Sequence, residues 1–186
     1  MVHIIANAAS GETGGTELDS HADSAVVGKN SYILRRTGKL ARVQGFTSEL
    51  GKPLSVPFVD AIIAYDDNLT GETMLLKIRN ALYVESLESN LIPPFVMRLA
   101  GIEVNECPKF LSKYPTEQDH SLFFREEDVR IPLQLKNTIS FFPSRLPSQA
   151  ELQVMNTSDI WTLLRSSPST LADFSSLNEA IQQRSA

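Results

Sequence analysis

Two dense apolar runs separated by a short polar turn constrain this chain most. Val56–Tyr65 (VPFVDAIIAY) and Met74–Val84 (MLLKIRNALYV) flank Asp66-Asp67-Asn68-Leu69-Thr70-Gly71-Glu72. Both arms are rich in apolar residues and of strand length, and the connecting residues are turn formers. The pattern predicts a long hairpin whose arms are apolar enough to sit at the centre of a sheet. With 186 residues, the chain is long enough for one domain plus an extension.

Most of the preceding and following sequence also reads as strand. Val2–Ala8 is short and apolar, Ser10–Gly15 (SGETGG) is a turn cluster, and Thr16–Ser20 begins a second strand. Ala25–Gly28 (AVVG) is a buried strand ending at glycine. Leu40–Phe46 alternates apolar with polar, and Thr47–Pro53 supplies turn residues, so a hairpin with Gly45 near its bend is expected. A short helix is expected within Leu91–Leu99, beginning around Pro93-Pro94. Lys113–His120 is a polar linker. Ser121–Phe124, Val129–Leu135 and Thr138–Phe142 are three further strands, with a turn at Lys136-Asn137. From Pro147 the period turns helical: Ser148-Gln149-Ala150-Glu151 has capping-box spacing, and Leu171, Phe174, Leu177 and Ile181 share one helical face.

Charge and cysteine content exclude several classes. Seventeen basic against 22 acidic residues give a net charge of −5, which argues against a phosphate-neutralising surface, so no nucleic-acid partner is expected. The single cysteine, Cys107, cannot form an intramolecular disulfide and suits a reducing, cytoplasmic compartment. No apolar run approaches the ~20 residues of a membrane span, and no secretory signal is visible at the N-terminus, so no membrane association is expected. Gly11–Gly15 lacks the Gly-Lys-Ser/Thr ending of a phosphate loop. Cys107 reads as a buried or idle thiol, and Arg35, Arg36, Lys39 and Arg42 as a solvated strand edge. Trp161, Leu163 and Leu164 read as core or docking surface, and Asp66 and Asp67 as turn residues.

The stretch with chemical content is Glu17-Leu18-Asp19-Ser20-His21-Ala22-Asp23-Ser24. Asp-Ser followed by small residues at the end of an early strand is how an aspartic protease presents its carboxylate. A glycine-bearing hairpin follows about two dozen residues later, and then Asn80-Ala81-Leu82-Tyr83-Val84-Glu85-Ser86-Leu87-Glu88-Ser89-Asn90-Leu91-Ile92. Together, over Thr16–Gly101, these resemble the protease region of Copia-type retrotransposon polyproteins. In that family a strand ending Leu-Asp-Ser-Gly-Ala precedes a flap and a Leu-Tyr-Val-Pro-x-Leu-x-x-Asn-Leu-Leu/Ile segment.

The resemblance implies a mainly β, retropepsin-like small barrel with a flap hairpin and one short helix. A further β segment and a helical C-terminal tail would follow. The expected divisions are 1–112 for the protease domain, 113–146 for a β extension of the same body, and 147–186 for the tail. Carried over by residue, Asp19 would be the catalytic carboxylate. Ser20, His21 and Ala22 would complete the active-site loop, with the Ser20 hydroxyl in cross-dimer hydrogen bonds and Ala22 at the small position. Gly45 and Phe46 would lie at the flap, and Leu91 and Ile92 would pack beneath the loop. The activity implied is peptide hydrolysis by a homodimer with one aspartate per subunit, acting on extended segments of its own polyprotein, in the cytoplasm or within virus-like particles. No cofactor or metal is required. The alternative is a catalytically inactive domain of the same ancestry serving assembly or protein binding, because His21 stands where the family has glycine. A third reading remains at this level: in an extended strand Asp19, His21 and Asp23 share one face and offer two oxygens and a nitrogen to a divalent metal.

Overall fold

The computed structural model describes residues 14–43, 54–153 and 160–164. The chain is mainly β. Strands β1 (Gly15–Leu18), β2 (Val26–Val27), β3 (Tyr32–Val43), β4 (Leu54–Asp66), β5 (Thr73–Tyr83) and β6 (Asn90–Ile92) come first. Helix α1 (Pro94–Leu99) and strands β7 (Glu103–Asn105), β8 (Ser121–Phe124), β9 (Val129–Pro132), β10 (Gln134–Lys136) and β11 (Ile139–Pro143) follow. Helix α2 (Gln149–Gln153) and strand β12 (Ile160–Leu164) complete the order.

The long hairpin is the centre of the larger sheet, as its sequence demands. β4 and β5 pair antiparallel from Phe58↔Leu82 to Asp66↔Thr73, and every residue from Val59 to Tyr65 is buried. Their turn is closed by the Asp67 N–H on the Glu72 carbonyl at 2.8 Å and the Gly71 N–H on the Asp67 carbonyl at 2.8 Å. Gly71 takes φ +74°, which glycine adopts without a Cβ penalty. One residue of β4, Asp60, faces two of β5, and Asn80 occupies this bulge with φ +51°. The buried Asp60 carboxylate accepts the Asn80 N–H at 3.1 Å on Oδ1 and the Arg35 Nε and Nη2 at 3.1 and 2.8 Å on Oδ2. A buried charge is tolerable here because it is paired and hydrogen-bonded on both oxygens.

Strand order in the larger sheet is β10-β11-β1-β6-β2-β5-β4-β3, with β12 also alongside β5. The end strands β10 and β3 do not pair, so among the described residues the expected barrel is not closed. A second sheet, β7-β8-β9, lies against the first, and its Leu122, Phe124 and Ile131 join one core with Val59, Ile63, Leu76, Ile78, Ile92 and Phe142. The Phe142 ring meets Tyr65 edge-on at 6.1 Å.

Several expectations change. The strand predicted over Val129–Leu135 breaks at Leu133 into β9 and β10, which belong to different sheets. The tail is not wholly helical, because β12 pairs parallel with β5 from Ile160↔Leu75. β3 begins at Tyr32, well before the predicted alternation, and β7 has no sequence signal long enough to announce it. Residues Val2–Ala8, the hairpin bend with Gly45 and Phe46, and the helical face from Leu171 to Ile181 lie outside the described residues.

The capping box forms as its spacing predicts. Ser148 N–H reaches Glu151 Oε2 at 2.7 Å, and Glu151 N–H reaches Ser148 Oγ at 3.3 Å. Arg145 bridges Glu151 and Asp66, with its Nη2 at 2.7 Å from Glu151 Oε1 and at 2.7 Å from Asp66 Oδ1, so Asp66 is more than a turn residue. Those Arg145 hydrogen bonds hold the Glu151 carboxyl down at about 2 and also depress Asp66. Because the folded pKa is lowered, the stability it confers is complete above about 4.5 and is lost as pH falls towards 2. Glu151→Gln should flatten this part of the acid unfolding curve, removing about 1 kcal/mol at neutral pH after solvent screening. Unfolding by urea at pH 7 and pH 3 measures it.

Candidate active site

β1 alternates buried Thr16 and Leu18 with half-buried Glu17, whose carboxylate pairs with Lys136 Nζ at 3.5 Å. It runs parallel to β6, with Thr16↔Asn90, Glu17↔Leu91 and Leu18↔Ile92 in register. β6 in turn pairs antiparallel with β2 through Val26↔Leu91. The chain therefore rises along β1, crosses the end of β6 through residues 19–25, and descends along β2. That crossing loop starts with Asp19, whose N–H donates to the Ile92 carbonyl at 3.2 Å. Ile92 is fully buried in the strand beneath and Leu91 is half-buried beside it, directly before the prolines that open α1.

Strand geometry stops at Leu18, and residues 20–24 form turns and bends. The same-face array of Asp19, His21 and Asp23 needs an extended strand, so that premise fails. Among the described residues no three His, Cys, Asp or Glu side chains gather closely enough to hold a metal ion. The loop is instead an Asx-type turn: the His21 N–H donates to Asp19 Oδ1 at 2.9 Å, and the Ala22 N–H points at the Asp19 carbonyl at 3.4 Å. Asp19 Oδ2 has no partner among the described residues, and the side chain is 34% exposed. The His21 imidazole is 89% exposed, with Nδ1 at 3.9 Å from Asp19 Oδ1 and 3.5 Å from the Ser20 hydroxyl. Ser20 is exposed and Ala22 half-buried. His21 is not among the residues with positive φ, so its backbone requires no glycine.

Beneath the loop lies a buried polar chain that pattern reading missed. Asn90 Oδ1 accepts the Gly28 N–H at 3.0 Å and the Ser31 hydroxyl at 2.8 Å. Asn90 Nδ2 donates to Thr16 Oγ1 at 3.3 Å, and Thr16 Oγ1 meets Ser144 Oγ at 2.8 Å. Thr16, Ser31, Asn90 and Ser144 are all buried. The chain laces β1 to β6, to the turn after β2, and to the end of β11. One signal was visible: Asn90 is the polar residue that opens an otherwise apolar three-residue strand.

Gly28 is required by packing. A Cβ there would collide with the Leu87 backbone carbonyl, which also accepts the Lys29 N–H at 3.1 Å. Gly28→Ala should lower stability by about 1–3 kcal/mol, the usual cost of forcing backbone apart in a packed site. A denaturant midpoint unchanged from wild type would contradict this. Comparison of the chain with known protein families, curated proteins and solved structures finds no match.

Proposed function

We propose that the chain is a retropepsin-like aspartic endopeptidase of retrotransposon origin, active as a two-fold homodimer that processes its own polyprotein in the cytoplasm or in virus-like particles. The observation that carries this reading is the loop of Asp19 passing over the end of β6, fastened there by the Asp19 N–H on the Ile92 carbonyl. A carboxylate held by its own backbone at the mouth of a strand pair, with Oδ1 engaged and Oδ2 unengaged among the described residues, suits a group that must meet a second carboxylate.

The chemistry requires two copies. One chain supplies one Asp-Ser-x-Ala element, Asp19–Ala22, so the second aspartate is the partner copy of Asp19. Two carboxylates about 3 Å apart cannot both ionise, so they share a proton and titrate as a pair. The ionised member takes a proton from the water between them as the water attacks the peptide carbonyl. The protonated member gives its proton to the carbonyl oxygen. Collapse of the resulting diol returns a proton to the departing amine and breaks the C–N bond. Ser20 sits beside Asp19 to bond across the dimer. The substrate would lie extended, as an added strand, against the flap to which the resemblance assigns Gly45 and Phe46.

His21 is compatible with this chemistry on two grounds. Its backbone N–H makes the hydrogen bond to Asp19 Oδ1 that any residue can make, and its imidazole lies in solvent rather than under the loop. The test is binding of a hydroxyl-bearing transition-state mimic of aspartic proteases, followed by calorimetry. One inhibitor per two chains, with dimer formation promoted by the inhibitor, is the expected stoichiometry. Absence of binding to a dimer that forms normally would favour the inactive assembly domain instead.

A further inference from the structure

His120 is a buried titratable group with no part in the chemistry above. It precedes β8 with φ +54°, and its carbonyl accepts the Leu133 N–H at 2.7 Å. Its Nε2 lies 3.0 Å from Ser140 Oγ, and both residues are buried. Leu133 joins β9 to β10 and Ser140 lies in β11, so this one residue fastens the smaller sheet to the β10–β11 edge of the larger one. Ser140 is also next to Phe141, whose register partner Glu17 lies two residues before Asp19.

We infer that the His120–Ser140 pair is an acid-released latch that docks the β8–β9 hairpin and β11 against the strand carrying Asp19. A neutral imidazole satisfies Ser140 and tolerates the apolar junction. An imidazolium must donate at both nitrogens and be solvated, which costs more where the residue is buried against Ser140 than in the undocked chain. The charged groups around it do not offset that cost. Glu106 favours the proton but is engaged by Arg98 at 3.1 Å, and Lys109 opposes it while held by Glu117 at 3.0 Å. The neighbouring Asp119 carboxylate is occupied by the Thr116 N–H at 2.8 Å and by Asn105 Nδ2 at 3.3 Å. Burial accordingly holds the His120 pKa below its ordinary 6.5. The unfolded or undocked chain takes the proton first, so stability present above about 6.5 falls as pH drops through that value and levels off below the folded pKa.

The experiment compares wild type with His120→Gln, which keeps a hydrogen-bonding group for Ser140 and cannot titrate. Between pH 7.5 and 5.5 the unfolding constant of wild type should rise by up to about tenfold per pH unit below 6.5, and that of the variant should lack this component. Identical pH dependence in the two proteins overturns the latch. Should the variant fail to fold, amide exchange in wild type decides. Corrected for intrinsic rates, protection at pH 5.5 should fall in β8, β11 and β1 and persist in β4–β5. A uniform loss, or none, overturns the proposal. Neither readout depends on peptide cleavage.

Discussion

Asp19→Asn should abolish peptide hydrolysis, reducing kcat by at least about 10³-fold, while dimerisation and thermal stability stay near wild type. The magnitude follows from the double role proposed for the residue: the proposed dimer would lose both the base that activates water and the acid that protonates the carbonyl oxygen, and one such group alone is worth about 10²–10⁴-fold. Folding should be spared because Asn keeps an oxygen in the place of Oδ1, so the 2.9 Å bond from the His21 N–H survives. The measurement is turnover of an extended peptide across pH 3 to 7, with urea unfolding on the same preparations. Wild-type activity should favour the acidic side, since the pair must retain one shared proton. Undiminished cleavage by Asp19→Asn would remove the aspartate from the mechanism and the proposed function with it.

The largest effect on stability is expected at Asn90. Asn90→Ala leaves the Gly28 N–H, the Ser31 hydroxyl and one bond of Thr16 unmade among buried residues. Each orphaned buried group costs about 1–3 kcal/mol, so a total loss of roughly 3–5 kcal/mol is expected, with some relief as Ser31 turns to other partners. Asn90→Asp separates the two halves of the network. Asp accepts from Gly28 and Ser31 but cannot donate to Thr16 Oγ1, and it places a charge in the core, so its destabilisation should ease as the carboxyl protonates in acid. Chemical denaturation at pH 7 and pH 4 distinguishes the two variants. A loss below about 1 kcal/mol in Asn90→Ala would show that water or rearranged side chains replace the amide.

What was legible in the sequence followed from local rules. The β4–β5 hairpin was readable because both arms are apolar along their length and the turn carries Asp67, Asn68 and Gly71. Helix α1 was readable from Pro93-Pro94, and the capping box of α2 from Ser148 and Glu151. The misread segments depend on distant partners. Pro132, which ends β9 and has no N–H to donate, was the local hint of a break before Leu133, whose own N–H goes to the His120 carbonyl. β12 lies within a tail whose sequence reads as helical, and pairing with β5 overrides that reading. At the site, Asp19 was marked by its neighbours in sequence, whereas Thr16, Ser31 and Ser144 are ordinary polar residues until the sheet order brings them to Asn90. The open order of the larger sheet was equally invisible, since closure is a relation between β10 and β3, which lie about a hundred residues apart.

β11 lies antiparallel against β1, pairing Gly15 with Pro143 and Glu17 with Phe141. If the chain is the proposed protease, maturation of its precursor must respect that neighbour. A cut near residue 112, where the resemblance to the protease family would place a boundary, would strip one flank from the strand that ends at Asp19 and bare its backbone to solvent. The earliest release point that leaves the flank intact lies past Pro143, so the proposed enzyme, once released, would carry its own downstream segment as a permanent splint.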